Sequence, residues 1–255
     1  MKLKQAWTGI AAAVVLSACA IPQAKFDSEK LGAIKTITVA VPRQHYIAAS
    51  SSGPVIVPGG GLIAAAIGGA ISGGINASTN KQSVTFDELV SAKLGDTHFS
   101  RRLVDAIEAE LRAEGFVVNE VDFSREDMPK SVFENGGYIL KGQPYRGADA
   151  ILVPVVGQAY FAPGPLSAFR RQVVGQIGIY KGDTLEPVFT RRLFFMTVRD
   201  SYSYMTYRGL VDDLPHAIQG LDDAAMSLVP GFVESLRSAR QLPPAATATA
   251  EAKPQ

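Results

Sequence analysis

The 255 residues suffice for one generous domain or two small ones, and a composition 47% hydrophobic and 19% charged excludes a chain that is unfolded throughout. Lysine and arginine number 25 against 24 aspartate and glutamate, so a formal charge of +1 gives no global field that would mark nucleic acid as a partner. One cysteine and three histidines exclude a disulfide framework and any cysteine-built zinc or iron–sulfur site within one chain.

The first 18 residues read as a signal peptide. Lys2 and Lys4 form a positive n-region, and residues 6 to 16, AWTGIAAAVVL, form an uncharged apolar core. That run is too short for a membrane span of about 20 residues. Ser17 and Ala18 then supply small residues ahead of Cys19. Taken alone, these zones also fit an ordinary secretory signal in which Cys19 is incidental. The stretch Leu16-Ser17-Ala18-Cys19, however, resembles the lipobox of bacterial lipoproteins. The resemblance implies that the Cys19 thiol receives a diacylglycerol, that cleavage occurs just before it, and that the new amine accepts a palmitate-like acyl chain. Two or three chains hold a protein stably where one would be marginal. Ala20, in place of an aspartate, resembles lipoproteins sorted to the outer membrane, which implies a periplasm-facing location there.

Residues 19–33 read as a tether, and residues 34–240 as one domain. The β-branched run at 34 to 41, IKTITVAV, predicts a strand stopped by Pro42. Residues 44–80 follow without a single Asp, Glu, Lys or Arg. Within them Gly61, Ala65, Gly69, Gly73 and Ala77 recur every fourth residue, as do Ile63, Ile67, Ile71 and Ile75. Groove and ridge at one period are the pattern of close helix packing. In water each glycine would cost a helix about 1 kcal/mol relative to alanine, so packing or lipid must compensate. The segment resembles the glycine zippers of several outer-membrane lipoproteins, which implies insertion into a membrane. A self-association surface and a flexible small-residue loop are the other readings.

A short helix is expected from about Thr85 to Leu94, then a clearer one ending before Gly115, with Asp96 or Thr97 at its cap. Phe99, Leu103, Val104, Ile107 and Leu111 make its apolar stripe, and Glu108 and Arg112 a pair on the solvent side. A strand at 116 to 123 leads into a polar loop reaching about Arg146. Residues 148 to 159 read as a strand buried on both faces, with Pro154 marking a bulge. Residues 172–180 and 187–198 form a hairpin turning at Lys181-Gly182-Asp183. Residues 213 to 240 carry helical periodicity split at Pro230-Gly231, with Asp213 as N-cap, and residues 241–255 are a low-complexity, disordered tail.

This order predicts an α+β domain: a mixed sheet of about five strands, helices on one face, and the apolar Gly/Ala/Ile segment inserted as a helix after the first strand. With the motif Ala148-Asp149-Ala150-Ile151-Leu152 ahead of the hairpin, it resembles the small domain of curli-secretion-channel lipoproteins, of the lipoprotein activators of peptidoglycan synthases, and of the TolB amino-terminal domain. The long insertion departs from most of that group, and fold alone does not set function.

Chemical constellations are sparse. Residues 59 to 64 fit G-x-G-x-x-A, but a dinucleotide site needs a second strand and an acid about 20 positions on, and neither follows in register. His45, His98 and His216 stand far apart, so neither a metal site nor any cofactor is expected. Asp212, Asp213, Asp222 and Asp223 read as pairs on a solvated helix face. Tyr202, Tyr204 and Tyr207, with Arg199 and Arg208, form an amphipathic patch suited to a partner, or else an edge strand with ordinary aromatics. The expected role is therefore non-enzymatic. The chain reads as a lipid-anchored cell-envelope protein, membrane-bound through Cys19. It would serve as a structural or accessory subunit of an outer-membrane export or secretion assembly, self-associating or bound to an envelope protein. The alternative is a periplasmic regulator docking on an envelope enzyme through the Tyr/Arg patch.

Overall fold

The computed structural model describes residues 24–42, 46–50, 85–164 and 166–241. In chain order these form β1 (Lys25–Phe26), α1 (Ser28–Ala33), β2 (Thr36–Val41), β3 (Tyr46–Ser50), α2 (Phe86–Leu94), α3 (Phe99–Ala113), β4 (Val117–Asp122), β5 (Lys130–Glu134) and β6 (Gly137–Lys141). Then come β7 (Ala150–Phe161), β8 (Arg170–Lys181), β9 (Pro187–Met196), α4 (Tyr207–Asp212), α5 (Leu214–Met226) and α6 (Val229–Gln241). A mixed sheet of seven strands runs β1-β9-β8-β7-β2-β4, and β3 also pairs with β7. The expected α+β class holds, with more strands than the sequence suggested. The stretch read as a tether already holds β1 and α1, and Leu31 of α1 is fully buried.

β7 is the spine. Its first residues pair in parallel with β2, from Ile37 opposite Ala150 to Val39 opposite Leu152. Its last residues pair in parallel with β3, from Tyr46 opposite Gly157 to Ser50 opposite Phe161. Pro154 falls in the gap between those two partners, where neither strand asks for the N–H that proline lacks. The proline is thus tolerated in a central strand because its second neighbour is interrupted there. Asp149, just before β7, fastens the same corner. Its Oδ2 accepts from the Lys35 and Thr36 amides at 2.9 and 2.8 Å, and its own amide donates to Thr36 Oγ1 at 2.8 Å. These backbone donors hold its carboxyl below the usual aspartate range.

The helices cover one face. Ile37, Val39, Ala150, Leu152, Ile177 and Ile179 point into it and meet Leu31, the stripe Phe99, Leu103, Val104, Ile107 and Leu111, and Phe232 and Leu236 of α6. Glu108 does pair with Arg112 at 2.9 Å, but not on the solvent side: α3 presses it against the sheet, it is buried, and burial raises its carboxyl. Two further expectations shift by a few residues. His98, in a left-handed conformation at φ 52°, is the N-cap of α3, while Asp96 folds back to accept the His98 amide at 2.8 Å. The break between α5 and α6 precedes Val229, so Pro230 lies in the first turn of α6, where a missing N–H costs nothing.

The other face is covered by the β5–β6 hairpin, which arises within the segment read as a polar loop. Asn135 and Gly136 both take positive φ (49° and 80°) in its two-residue turn. That dipeptide is the strongest short-range hairpin signal, and it was legible in the sequence. The hairpin is pinned by a side chain that imitates a peptide. Gln176 Oε1 accepts the Tyr138 amide at 3.1 Å, and Gln176 Nε2 donates to the Tyr138 carbonyl at 2.8 Å. The Tyr180 hydroxyl donates to that carbonyl as well, at 2.7 Å.

Candidate functional site

Cys19 and the packing stripe Gly61, Ala65, Gly69, Gly73 and Ala77 lie outside the described residues. The patch Tyr202, Tyr204, Tyr207 and Arg208 lies within them, and it is used mostly inward. Phe169 and Tyr204 exchange backbone hydrogen bonds at 2.7 and 3.0 Å, which tie the segment after β9 to the start of β8. From there the Tyr204 ring packs edge-on against buried Tyr160, 5.5 Å between centroids. Its hydroxyl donates to Asp213 Oδ2 at 2.9 Å and lies 3.2 Å from His216 Nδ1, which is 3.0 Å from the same oxygen. Because the tyrosine proton goes to the carboxylate, Nδ1 must carry the imidazole proton. Desolvation, then the Asp213 carboxylate, raises the Tyr204 phenol above its usual value. Asp213 does occupy the N-cap of α5, but its side chain makes these contacts and no cap bond.

Tyr202 stacks on His216 at 4.4 Å and donates to Asp223 Oδ2 at 3.2 Å. Its ring lies where a side chain at Gly220 would project, so only glycine lets the segment lie this close to α5. Arg171 fills the space behind. The guanidinium sits 4.3 Å from the Tyr202 ring centroid and donates to the Gly220 carbonyl at 2.7 Å. It also donates through Nε and Nη2 to Asp200 Oδ2 at 3.1 and 2.5 Å. The Asp200 carboxyl lies below its usual value: desolvation opposes this, and the bonds from Arg171 and the Tyr202 amide outweigh it. Tyr207 packs between Phe86 and Phe169, each 6.2 Å away. Arg208 alone of the four projects into solvent, 3.6 Å from Asp212. The three tyrosines therefore lie in one neighbourhood but turn inward: Tyr202 and Tyr204 clamp their loop on α5, and Tyr207 packs on Phe86 and Phe169.

Beside the clamp runs an open groove of about 580 Å³ between α2, α3 and α5. Leu94, Ile218 and Met226 supply its apolar walls; Arg102, Asp222 and Asp223 supply charge. Of the two acids read as a solvated pair, Asp223 is exposed and Asp222 is not. Asp222 is buried, accepts from Gln158 Nε2 at 3.3 Å and pairs closely with Arg102; burial raises its carboxyl. Asp223 points to Tyr202 instead. Sequence reasoning missed Arg171 and Gln158 because each gains its role only by facing α5 from the sheet, and it misplaced Asp222, which α5 turns toward Gln158. Among the described residues no group of three His, Cys, Asp or Glu is placed to hold a metal ion.

No protein-family model and no curated protein matches the chain. Among solved structures, it is similar to a minor lipoprotein from Acinetobacter baumannii, at 14% identity and a TM-score of 0.33 over 57% of this chain and 87% of that one. It is also similar to a Xanthomonas campestris protein of the DUF330 family, at 13% identity and a TM-score of 0.33 over 87% and 97%. Likenesses at these scores carry no functional weight.

Proposed function

We propose that this chain is a lipid-anchored protein of the cell envelope, held in the outer membrane through acylated Cys19 and facing the periplasm. It serves there as a non-enzymatic accessory subunit of an export or secretion assembly. One observation carries the reading: the sole cysteine stands at the acceptor position of Leu16-Ser17-Ala18-Cys19, directly behind a three-zone signal. Two features of the domain are consistent with it. β1 begins six residues after Cys19, so the anchor would hold the domain close to the lipid. The acids of the clamp are each engaged by a base or a hydroxyl, which suits a rigid scaffold better than general acid–base work.

In this reading the stripe Gly61, Ala65, Gly69, Gly73 and Ala77 packs against another helix, from a second copy or within the membrane. The regulator alternative has less support, since Tyr202, Tyr204 and Tyr207 are committed to intramolecular contacts. The deciding test is metabolic labelling with a clickable palmitate. The wild type should incorporate label and fractionate with outer membranes, and Cys19→Ser should do neither; equal labelling of the two ends the anchor reading. Crosslinking then addresses the subunit role. Replacing Gly69 and Gly73 together by leucine should abolish crosslinked oligomers that Ile67→Leu preserves, and indifference to all three changes would leave the segment a loop.

A further inference from the structure

Seven large apolar side chains are exposed among the described residues, and five of them gather at one end of the main sheet: Leu166 (95%), Val198 (76%), Met205 (67%), Phe194 (53%) and Met196 (51%). Topology puts them together. β7 ends and β8 begins where Phe161 faces Arg170, and Gln172 faces Met196 at the end of β9. Leu166 lies in the connection from β7 to β8; Val198 and Met205 lie in the segment after β9. The backbone pair Phe169 and Tyr204 joins those two loops. The remaining two lie elsewhere. Val117 opens β4 opposite Thr36 at the far end, and Phe26 pairs with Phe189 near the start of β9. Scattered exposed apolar residues are ordinary, whereas a cluster marks a contact surface.

The course of the chain identifies what that surface meets. β1 is antiparallel to β9, so residues before Lys25 approach from the Met196 end. Cys19 stands six residues before Lys25, and Met196 six residues beyond its partner Thr190. Each stretch reaches about 20 Å when extended, so the acyl-bearing residue can stand level with the apolar rim. β3 also ends at this rim, with Ser50 opposite Phe161, and the chain returns beside it at Phe86, which packs on Tyr207. The described residues on either side of 51–84, a stretch uncharged as far as Asn80, thus both stand at this rim. The end of α6 lies at the opposite pole, where Arg240 covers Phe116 and Arg237 pairs with Glu114 at 2.6 Å.

We infer that this end of the sheet rests on a lipid bilayer, with Leu166, Phe194, Met196, Val198 and Met205 at the interface and exposed Arg199 at the level of the lipid phosphates. The inference builds on the Cys19 anchor and adds an orientation: the groove beside α5 stands at the flank of the domain, and the end of α6 points away from the membrane.

The full chain supplies its own probe background, because its one tryptophan, Trp7, lies in the signal peptide. Val198→Trp and Val117→Trp alter two exposed positions at opposite ends. Each protein is purified with its native anchor and reconstituted into phosphatidylethanolamine–phosphatidylglycerol vesicles with brominated acyl chains. The Val198→Trp protein should lose most of its emission, several-fold more than the Val117→Trp protein. Equal quenching, or none in vesicles that the protein floats with, overturns the orientation while the anchor stands. A blue-shifted but unquenched tryptophan at position 198 also overturns it, because protein, from a second copy or from this chain, then covers the rim. Failure to float, with no palmitate label and Trp7 still fluorescent in the wild type, removes the anchor and the orientation together.

Discussion

The two faces of the main sheet are held by different means. On the helix face, α1, α3, α5 and α6 bury a continuous apolar layer, in which Phe189 and Phe232 meet edge to face at 5.8 Å. On the other face a single hairpin covers a smaller cluster around Ile151, Val153 and Leu140, and polar side chains set its position. Apolar area is non-directional and supplies most of the stability; paired hydrogen bonds supply less energy but fix register. Substitutions on the helix face should therefore unfold the domain, while those under the hairpin should release one element.

The sharpest contrast comes from Phe232→Ala. Truncating this fully buried ring should cost about 4 kcal/mol in urea unfolding, spread over the whole domain. Next is Arg171→Leu, which takes the charged donor from Asp200 Oδ2 and from the Gly220 carbonyl. It should cost about 3 kcal/mol, and an undiminished midpoint would mean that the clamp contributes nothing. Gln176→Ala removes both bonds to Tyr138 and should cost about 1.5 kcal/mol. Its signature is local: amide exchange should rise in β5 and β6 and stay slow in α3, and uniform acceleration would erase the distinction between the faces. Tyr204, read from sequence as part of a partner patch, is instead a stabilising residue in the fold. With its ring on Tyr160 and its hydroxyl on Asp213, Tyr204→Phe alone should already cost about 1 kcal/mol.

The smallest effect is pH dependence. Asp149 and Asp200 have carboxyls held below their ordinary 3.8 in the folded state. Their contribution is complete above that value and is lost as pH falls through the depressed folded values. Asp149 is largely solvated, so its share is small. Asp222, raised by burial, acts in the opposite sense, since protonation relieves its desolvation as pH falls. Asp149→Asn together with Asp200→Asn should flatten the acid side of a stability-versus-pH curve, and an unchanged slope would place the acid sensitivity elsewhere.

Local pattern determined much of this protein from sequence. The stripe of α3, the β7–β8–β9 meander and the capping-box helix α2 all follow from periodicity and short-range chemistry that operate within a few residues. The Asn135-Gly136 turn belongs to the same class, although its neighbours read as polar loop because β5 is at most half-buried and β6 buries only Tyr138 and Leu140. What tertiary structure decided is where long-range pairing overrides local pattern. The two-residue β1 exists only because β9 offers an edge, and Pro154 is accepted only because β2 and β3 leave a gap. Tyr202 and Tyr204 turn inward because α5 presents Gly220, Asp213 and His216 to them. The apolar rim was invisible for the same reason. Leu166, Met196 and Met205 are well separated in sequence, and only the folding of β7, β8 and β9 side by side brings them to one end.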